Sequence, residues 1–399
     1  MLRFIEYSYK YIIKYLVGYL QVGLKVSSLN KVCYTIIRII ITELLRGNKN
    51  MRKVEKLIDE DIKKIMFYQD IPGLSLMITD DKSILYSKGY GVASIATKLP
   101  ITENTIFHMA SITKLFVATG IMQLVEKGKI ELNKTVSSYI SDLQLRDNRF
   151  NKITVLQMLS HTSGLPDCQD YGWHHPEYDE EALKRYVEGL KNISLLWEPG
   201  VRFHYSNIAY EVLGYLIEIV TGMTFEAYID ERILRPLGMK HSTLLYRENT
   251  DDIAIPHIKN TEKKVVLSNV YPYNRSHAPS STLTSNVLDM SKWAIGSLNL
   301  GILKNERILQ EISYKKMWDP VIDINNNQEK IGLGWLIGKH REYDILGHEG
   351  SDIGFRTSFA IIPEKKLSVG VFANLDNVST RKIMRRVFDF LLGIEPKKL

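Results

Sequence analysis

The sequence predicts an α+β protein in which an antiparallel β-sheet is flanked by helices and interrupted by a largely helical inserted region. Three observations lead to this fold class. Two strand-like runs, 74–79 and 84–87, lie near the start of the body of the chain. Residues from about 105 to 325 are mostly helical in pattern, and strand-like runs return only from residue 332 onwards. We therefore expect the two groups of strands to share one sheet, with the helical region between them.

The elements before the helical region are a helix and a hairpin. Residues 54–66 carry apolar side chains at helical spacing, which predicts an amphipathic helix. The segment Asp80-Asp-Lys-Ser83 separates the first two strand-like runs, and a polar segment of this length is a hairpin signal.

The elements after the helical region are four strands and a final helix. The strands are predicted at 332–338, 342–347, 354–362 and 367–373, and the helix at 380–392. Within the helical region we expect loops at 142–152, 167–178 and 260–279. Long loops in a compact domain are usually functional or disordered, so we expect these loops to rim a substrate cleft.

Composition and charge exclude one class of partner. The chain has 399 residues with 45% hydrophobic and 24% charged residues, as in an ordinary globular protein. Its net charge of +7 is concentrated in residues 1–50, where eight basic and two acidic residues give +6. The rest of the chain is nearly neutral, which argues against a nucleic-acid-binding face. Only two cysteines occur, Cys33 and Cys168, and both are expected to be free thiols.

Residues 1–50 are predicted to form a basic, amphipathic N-terminal extension to a domain at 51–399. Two apolar runs, 11–24 and 32–45, are each interrupted by charged residues and are too short to span a bilayer. We expect helices that contact a membrane surface, or else a helical hairpin packed on the body or on a partner. Translation starting at Met51 is a third alternative. No cleavable signal peptide is evident, which favours a cytoplasmic or membrane-associated protein.

Ser111 and Lys114 lie one helical turn apart at the start of a long apolar stretch, 115–125. The spacing places a hydroxyl and an amine on one face of a buried helix. A serine hydroxyl needs a base to become a nucleophile, and a desolvated neutral lysine can act as that base. The spacing alone is weak evidence, because it recurs at Ser28/Lys31, Ser313/Lys316 and Ser379/Lys382.

Tyr205 and Asn207 precede a helix that starts near Ile208. On a loop between helices, these two residues can direct a phenol and a carboxamide into one cleft. The phenol can carry a proton if nearby cations lower its pKa, and the amide can orient a substrate carbonyl and hold the lysine. A buried tyrosine followed by a turn-closing asparagine is the structural alternative.

The segment His348-Glu-Gly350 lies between two strand-like runs, 334–338 and 355–362. A glycine at that place allows a ligand to come close to a strand edge. The backbone N–H of Ser351 is expected to pair with that of Ser111 as a two-donor oxyanion hole. A turn with an incidental histidine is the structural alternative.

The order and context of these motifs resemble the serine β-lactamase and penicillin-binding-protein-like superfamily, in particular its class C-like serine hydrolase branch. The resemblance runs from about Met51 to about Gly393. Beyond the three motifs it includes the segments 71–77, 88–93, 161–166, 235–239 and 285–293. It implies a β-lactamase/transpeptidase-like fold and the acyl-transfer chemistry of esterases, D-amino-acid peptidases and related amidases.

The resemblance also implies roles for individual residues. Ser111 corresponds to the acylated nucleophile and Lys114 to its proton partner. Tyr205 corresponds to the general base or acid and Asn207 to a substrate ligand. His348 stands in place of the lysine of the third motif.

One departure from the family pattern concerns the substrate. In β-lactamases the third motif is usually Lys-Thr-Gly or Lys-Ser-Gly, and its lysine helps to bind the carboxylate of the antibiotic. Here His348 supplies less positive charge and Glu349 adds an acid. If Glu349 faces the cleft, it would repel an anionic ligand by roughly 1 kcal/mol or more at close range. Strand alternation leaves the direction of Glu349 open.

We therefore expect a hydrolase without metal or cofactor that acts on a small-molecule or peptide acyl substrate through a Ser111 acyl-enzyme. Esters or amides are the first choice of substrate, cell-wall D-peptides the second and β-lactams the third. A non-catalytic, penicillin-binding-like sensor or scaffold is the alternative outside catalysis. The oligomeric state stays open.

Overall fold

The computed structural model describes residues 51–143, 145–248, 252–324 and 329–397. The predicted extension at 1–50 lies outside the described residues, as does Cys33, whereas Cys168 is a free thiol. Contacts divide the chain into two units, Met1–Leu57 and Ile58–Leu399. The sheet and the helical insertion belong to the second unit.

The helices lie mostly in the middle of the chain, as predicted. Helix α1 covers residues 51–69. The others are α2 (Thr113–Glu126), α3 (Val155–Leu159), α4 (Ala182–Glu188), α5 (Asn207–Thr221), α6 (Phe225–Ile229), α7 (Ala278–Ser281), α8 (Val287–Leu298), α9 (Glu311–Trp318) and α10 (Thr380–Leu391).

Within the described ranges, the strands form one large antiparallel sheet and three two-stranded ones. They are β1 (Gly73–Thr79), β2 (Ile84–Gly91), β3 (Phe107–His108), β4 (His257–Lys259), β5 (Val265–Leu267), β6 (Thr284–Ser285), β7 (Ile302–Leu303), β8 (Glu306–Arg307), β9 (Ile322–Asp323), β10 (Lys330–Ile331), β11 (Leu336–His340), β12 (Tyr343–Asp352), β13 (Phe355–Ile362) and β14 (Leu367–Ala373). The large sheet has the order β2-β1-β14-β13-β12-β11-β10-β9.

The early and late strands pair directly, which confirms the predicted architecture. Strand β1 pairs with β14, with Leu74 opposite Ala373. All seven residues of β1 are buried, because α8 packs on one face of the sheet and α10 packs along β13 and β14. A strand covered on both faces needs a continuous apolar sequence, and β1 has one except for Ser75 and Thr79.

The helical insertion packs around α2, which is buried for twelve of its fourteen residues. Its Phe116 ring stacks on Trp293 of α8 with ring centroids 4.1 Å apart. Helix α2 also contacts α5 and α7. The start of α2 is therefore fixed against both the insertion and the sheet.

Strand β12 is longer than predicted, and this corrects the position of the third motif. We expected a strand at 342–347 with His348 and Gly350 beyond its end. Both residues instead lie inside β12, with His348 opposite Phe359 and Gly350 opposite Thr357 in β13. Strand β11 ends its pairing at Gly347, so residues 348–352 form an edge of the sheet that β11 does not cover.

Among the described residues, no single helix is long and apolar enough to cross a bilayer. One pair, Asn207–Thr221 with Phe225–Leu234, meets the length and composition limits together but is bent by 78°.

Candidate active site

Ser111 lies at a sharp turn between β3 and α2. Residues Ala110–Ile112 form a short 3₁₀ helix, and Ala110 has a left-handed φ of 49°. Such a conformation is costly for a residue with a Cβ, and the turn is held by the Met109 N–H, which donates to the Leu283 carbonyl at 2.7 Å. Ser111 is partly accessible although its neighbours on both sides are buried. The turn thus presents the Ser111 hydroxyl at the surface of the packed core.

Lys114 is fully buried, and its amine contacts three oxygen atoms. The Nζ atom lies 3.1 Å from Ser111 Oγ, 2.6 Å from Asn207 Oδ1 and 2.8 Å from the Ser280 carbonyl oxygen. An amide oxygen and a backbone carbonyl can only accept hydrogen bonds. When the amine is neutral, its two N–H groups are therefore held by Asn207 and Ser280, and its lone pair is left for the Ser111 hydroxyl.

Burial lowers the pKa of Lys114 to about 8. Removing an ammonium from water disfavours its charged form. The carboxylates of Glu211, Asp352 and Asp167 oppose this effect in part, because negative charge nearby favours the ammonium. The neutral amine is consequently available close to physiological pH.

Tyr205 lies against the same group of atoms. The Ser111 hydroxyl acts on its phenol and favours the ionised form, and Lys114 Nζ lies 5.1 Å from the centre of its ring. The His161 ring stacks on the Tyr205 ring with centroids 4.3 Å apart. Burial raises the pKa of Tyr205, and the Ser111 hydroxyl opposes this effect in part. The condition that we set for a phenolate, a pKa lowered by cations, is not met, so Tyr205 is a neutral phenol in this site.

Asn207 is the first residue of α5 and is held in one orientation. Ser206 caps the helix by accepting a hydrogen bond from the Ala209 N–H at 3.2 Å. The Asn207 side-chain amide donates to Asp167 Oδ1 at 2.8 Å and to the Tyr171 hydroxyl at 2.6 Å. Since both donors of the amide are used, its oxygen must face Lys114.

His348 is buried and is a neutral acceptor. Burial and the charge of Lys114 lower its pKa to about 3. Its Nδ1 lies 2.6 Å from the Glu349 carbonyl oxygen, whereas Nε2 has no partner among the described residues. The Nδ1–H therefore donates and Nε2 keeps a free lone pair. The ring centroid lies 6.2 Å from that of Tyr205, which puts His348 beside the other site residues.

Glu349 points away from Ser111. Its carboxylate forms an ion pair of 3.1 Å with Arg381 of α10, on the opposite face of the sheet from the 3₁₀ helix at Ser111. Neighbouring residues of a strand alternate between faces, so Gly350 faces Met109 and Ala110. Glu349 therefore does not face the cleft, and the repulsion of anionic ligands that we considered for it does not arise.

Gly350 lets β12 approach the turn that carries Ser111. A Cβ at this position would overlap Thr357 Oγ1 and the Met109 carbonyl oxygen. The same two atoms are hydrogen-bonded to each other at 2.9 Å, so they cannot both move aside. Ser351, the next residue, is exposed and lies opposite Arg356 in β13.

Replacing Gly350 by alanine is expected to destabilise the fold by about 1–3 kcal/mol, the usual cost of overpacking, and to lower activity further by moving β12 away from Ser111. Chemical denaturation and initial rates measure the two effects. Gly189→Ala is the matched control, because Gly189 has a helical φ of −70° and open space around its Cβ position. Equal stability of the two variants would contradict the close approach described here.

Sequence reasoning missed three residues that complete the site. In the sequence analysis Asp167 was part of a predicted loop and His161 was part of a segment that resembles the family. Nothing in the sequence spacing indicated that Asp167 binds Asn207 or that His161 stacks on Tyr205. Ser280 acts through its backbone carbonyl, which carries no side-chain signal. Asp167 is the first residue of a loop that we expected to rim the cleft, and that expectation is the sequence feature that could have placed Asp167 near the site.

Known proteins resemble this chain in sequence and in fold. "Protein flp" from Staphylococcus aureus is 26% identical over 351 residues, which cover 85% of this chain and 66% of that protein. "Unguisins hydrolase ungD'" from Aspergillus campestris is 26% identical over 365 residues, again with 85% and 66% covered. The chain thus spans 66% of the length of these curated relatives.

Solved structures give the same picture. The octameric penicillin-binding protein homologue from Pyrococcus abyssi is 29% identical, with a TM-score of 0.75 over 86% of this chain and 78% of that one. A class C β-lactamase mutant shares the fold, with 22% identity and a TM-score of 0.70 over 84% of this chain and 97% of that one. The model of the β-lactamase family matches residues 58–392, and the chain belongs to that family.

Proposed function

We propose that this protein is a serine hydrolase that cleaves ester or amide bonds through a covalent Ser111 acyl-enzyme. The observation that supports it most directly is the arrangement around Lys114 Nζ. Two acceptors fix the N–H groups of the neutral amine, and its third contact is Ser111 Oγ at 3.1 Å. A buried amine of lowered pKa next to a serine hydroxyl is an activated nucleophile with its base.

In the acylation step, Ser111 Oγ attacks the carbonyl carbon of the substrate while its proton passes to Lys114 Nζ. The N–H groups of Ser111 and Ser351 stabilise the oxyanion of the tetrahedral intermediate. When the bond to the leaving group breaks, Tyr205 donates its phenolic proton to that group and regains one from Lys114. The phenol suits this role because it stays protonated at neutral pH.

In the deacylation step, water attacks the ester of Ser111 and gives its proton to the Lys114–Tyr205 pair. The Ser111 oxygen takes a proton as it leaves, which restores the resting site. Asn207 positions Lys114 through its amide oxygen, and Gly350 lets β12 lie close to Ser111. His348 is a neutral ring whose Nε2 is buried, so it offers no positive charge to a substrate anion.

The charges around the cleft support neutral substrates over anionic ones. His348 brings no positive charge, and the pKa of Lys114 reflects three carboxylates nearby, those of Asp167, Glu211 and Asp352. A β-lactam or a peptide with a free C-terminal carboxylate would meet this negative field. We therefore rank small esters and amides first, D-peptides second and β-lactams third.

The test is to incubate the protein with a fluorescent fluorophosphonate, and separately with a fluorescent penicillin, and to locate each adduct by peptide mass spectrometry. We expect an adduct on Ser111, formed faster by the fluorophosphonate. A penicillin adduct that forms readily and persists would favour the sensor alternative. Well-folded protein without an adduct on Ser111 from either probe would overturn the proposed function.

A further inference from the structure

Asp352 forms a cluster beside the candidate site that the proposed mechanism does not use. Its Oδ2 atom lies 2.6 Å from His108 Nε2 and accepts a hydrogen bond from the Ser281 hydroxyl. His108 and Ser281 are both buried. The Asp352 side chain is 8% exposed, so only a small part of its carboxylate reaches the surface.

The chain places this cluster next to the reacting atoms. His108 is the last residue of β3, three positions before Ser111, and Ser281 follows Ser280, whose carbonyl binds Lys114. Asp352 is on the same face of β12 as Gly350. Its charge also raises the pKa of Lys114, as expected of a carboxylate within electrostatic reach.

The cluster consists of one carboxylate and two groups that donate to it. His108 Nδ1 is buried and has no partner among the described residues. The ring therefore contributes to the cluster through Nε2, which donates to Asp352 Oδ2. In the described part of the chain no cation pairs with the carboxylate, since the nearby Arg356 guanidinium donates to Asp376 and to the backbone carbonyls of Asp352 and Phe355.

One oxygen of this carboxylate remains open. Both donors, from His108 and Ser281, bind Oδ2. Within the described ranges Oδ1 accepts no hydrogen bond, and it is not among the fully buried atoms without a partner. A carboxylate that is fixed through one oxygen and accessible through the other can accept a hydrogen bond from a donor on a ligand.

Aromatic rings complete the surroundings. Phe355 lies opposite Asp352 in the strand register, and its ring centroid is 5.6 Å from that of His108. The Tyr271 ring lies 5.9 Å from Phe355 and 6.1 Å from His108. Of the Phe355 and Tyr271 rings, Phe355 is fully buried and Tyr271 is partly exposed, so the Tyr271 ring is the one available to a ligand. A carboxylate beside an accessible aromatic ring is the chemistry that recognises an ammonium group, through charge and through cation–π attraction.

We propose that Asp352 Oδ1 binds an ammonium group on the acyl part of the substrate, so that the preferred substrates are aminoacyl esters or amides with a free amine. This inference rests on the proposed function and narrows its substrate class. Asp352 is in this view a specificity-determining residue and takes no part in proton transfer to or from Ser111.

The experiment compares benzyl alaninate, as both enantiomers, with benzyl isobutyrate, in which a methyl group replaces the ammonium. Release of benzyl alcohol is followed by chromatography, and kcat/KM for each ester is divided by its uncatalysed rate constant. We expect the corrected ratio of the better alanine ester to isobutyrate to be about 10²-fold in the wild type, since a site built for a polar group rejects the analogue that lacks it. A ratio near one would overturn the proposal without any variant.

Asp352→Asn tests the residue itself, because it keeps the shape and removes the charge. We expect the ratio to fall at least about tenfold, and an unchanged ratio in folded protein would overturn the assignment to Asp352. Glu349→Gln is the matched control, since it removes a carboxylate from the same strand on the opposite face and should leave the ratio as it was. Failure of the proposed function would look different, because then neither ester would be hydrolysed and the fluorophosphonate would not label Ser111.

Discussion

Ser111→Ala is expected to abolish hydrolysis, lowering kcat/KM by a factor of about 10⁴ or more, as when the nucleophile of a serine hydrolase is removed. The Ser111 hydroxyl lies 3.1 Å from Lys114 Nζ, and no other hydroxyl among the described residues is hydrogen-bonded to that amine. Alanine fits without strain, because the side chain is small and partly accessible. The midpoint of thermal unfolding should therefore stay close to that of the wild type.

The chain supplies a matched control for this variant. Ser379 and Lys382 have the same spacing at the start of α10, and the Ser379 side chain caps no N–H of that helix. Ser379→Ala should retain full activity and full labelling by the fluorophosphonate. Comparable losses in both variants would mean that the assay does not report on Ser111.

The pH profile of kcat/KM is the second large effect. The base form of Lys114 is the neutral amine, and burial lowers its pKa to about 8. Activity should therefore rise tenfold per pH unit below about pH 8 and level off above it. A profile that is flat between pH 6 and 9 would exclude Lys114 as the base.

Lys114→Met removes the base but keeps a side chain that fills most of the same volume. We expect the rate of acylation to fall by a factor of roughly 10³ or more and the rise near pH 8 to disappear. The Asn207 and Ser280 oxygens lose their partner, which costs about 1–3 kcal/mol of stability, so unfolding must be measured beside activity. Lys382→Met is the control, because Lys382 is exposed and lies in the second copy of the spacing.

The sheet and its helical insertion could be predicted because strand alternation and helical spacing are visible in the sequence. The third motif was placed wrongly for a physical reason. We expected the glycine of this motif to lie beyond the strand and to admit a ligand, yet Gly350 stays in β12 because the Ser111 turn packs where its side chain would be. Sequence alone cannot show whether a glycine admits a ligand or another element of the same chain.

The electrostatics of the site depended on contacts that spacing does not encode. The direction of Glu349 follows from Arg381 on α10, which lies 32 positions further along the chain. For Tyr205, burial raises the pKa, and the Ser111 hydroxyl opposes this only in part. The candidate site residues could be predicted from the order of the motifs along the chain. Their protonation states could not, because these depend on how the side chains are packed.

The pairing of β1 with β14 has a consequence for the order in which the protein can form. Thr79 and Ser368 share a 2.7 Å hydrogen bond across 289 residues of chain. During synthesis, β1 therefore emerges from the ribosome long before its neighbour in the sheet exists, and contacts this distant in sequence fold slowly. Until then β1 is a mostly apolar strand with one open edge, the kind of segment that chaperones shield and that aggregates when they do not.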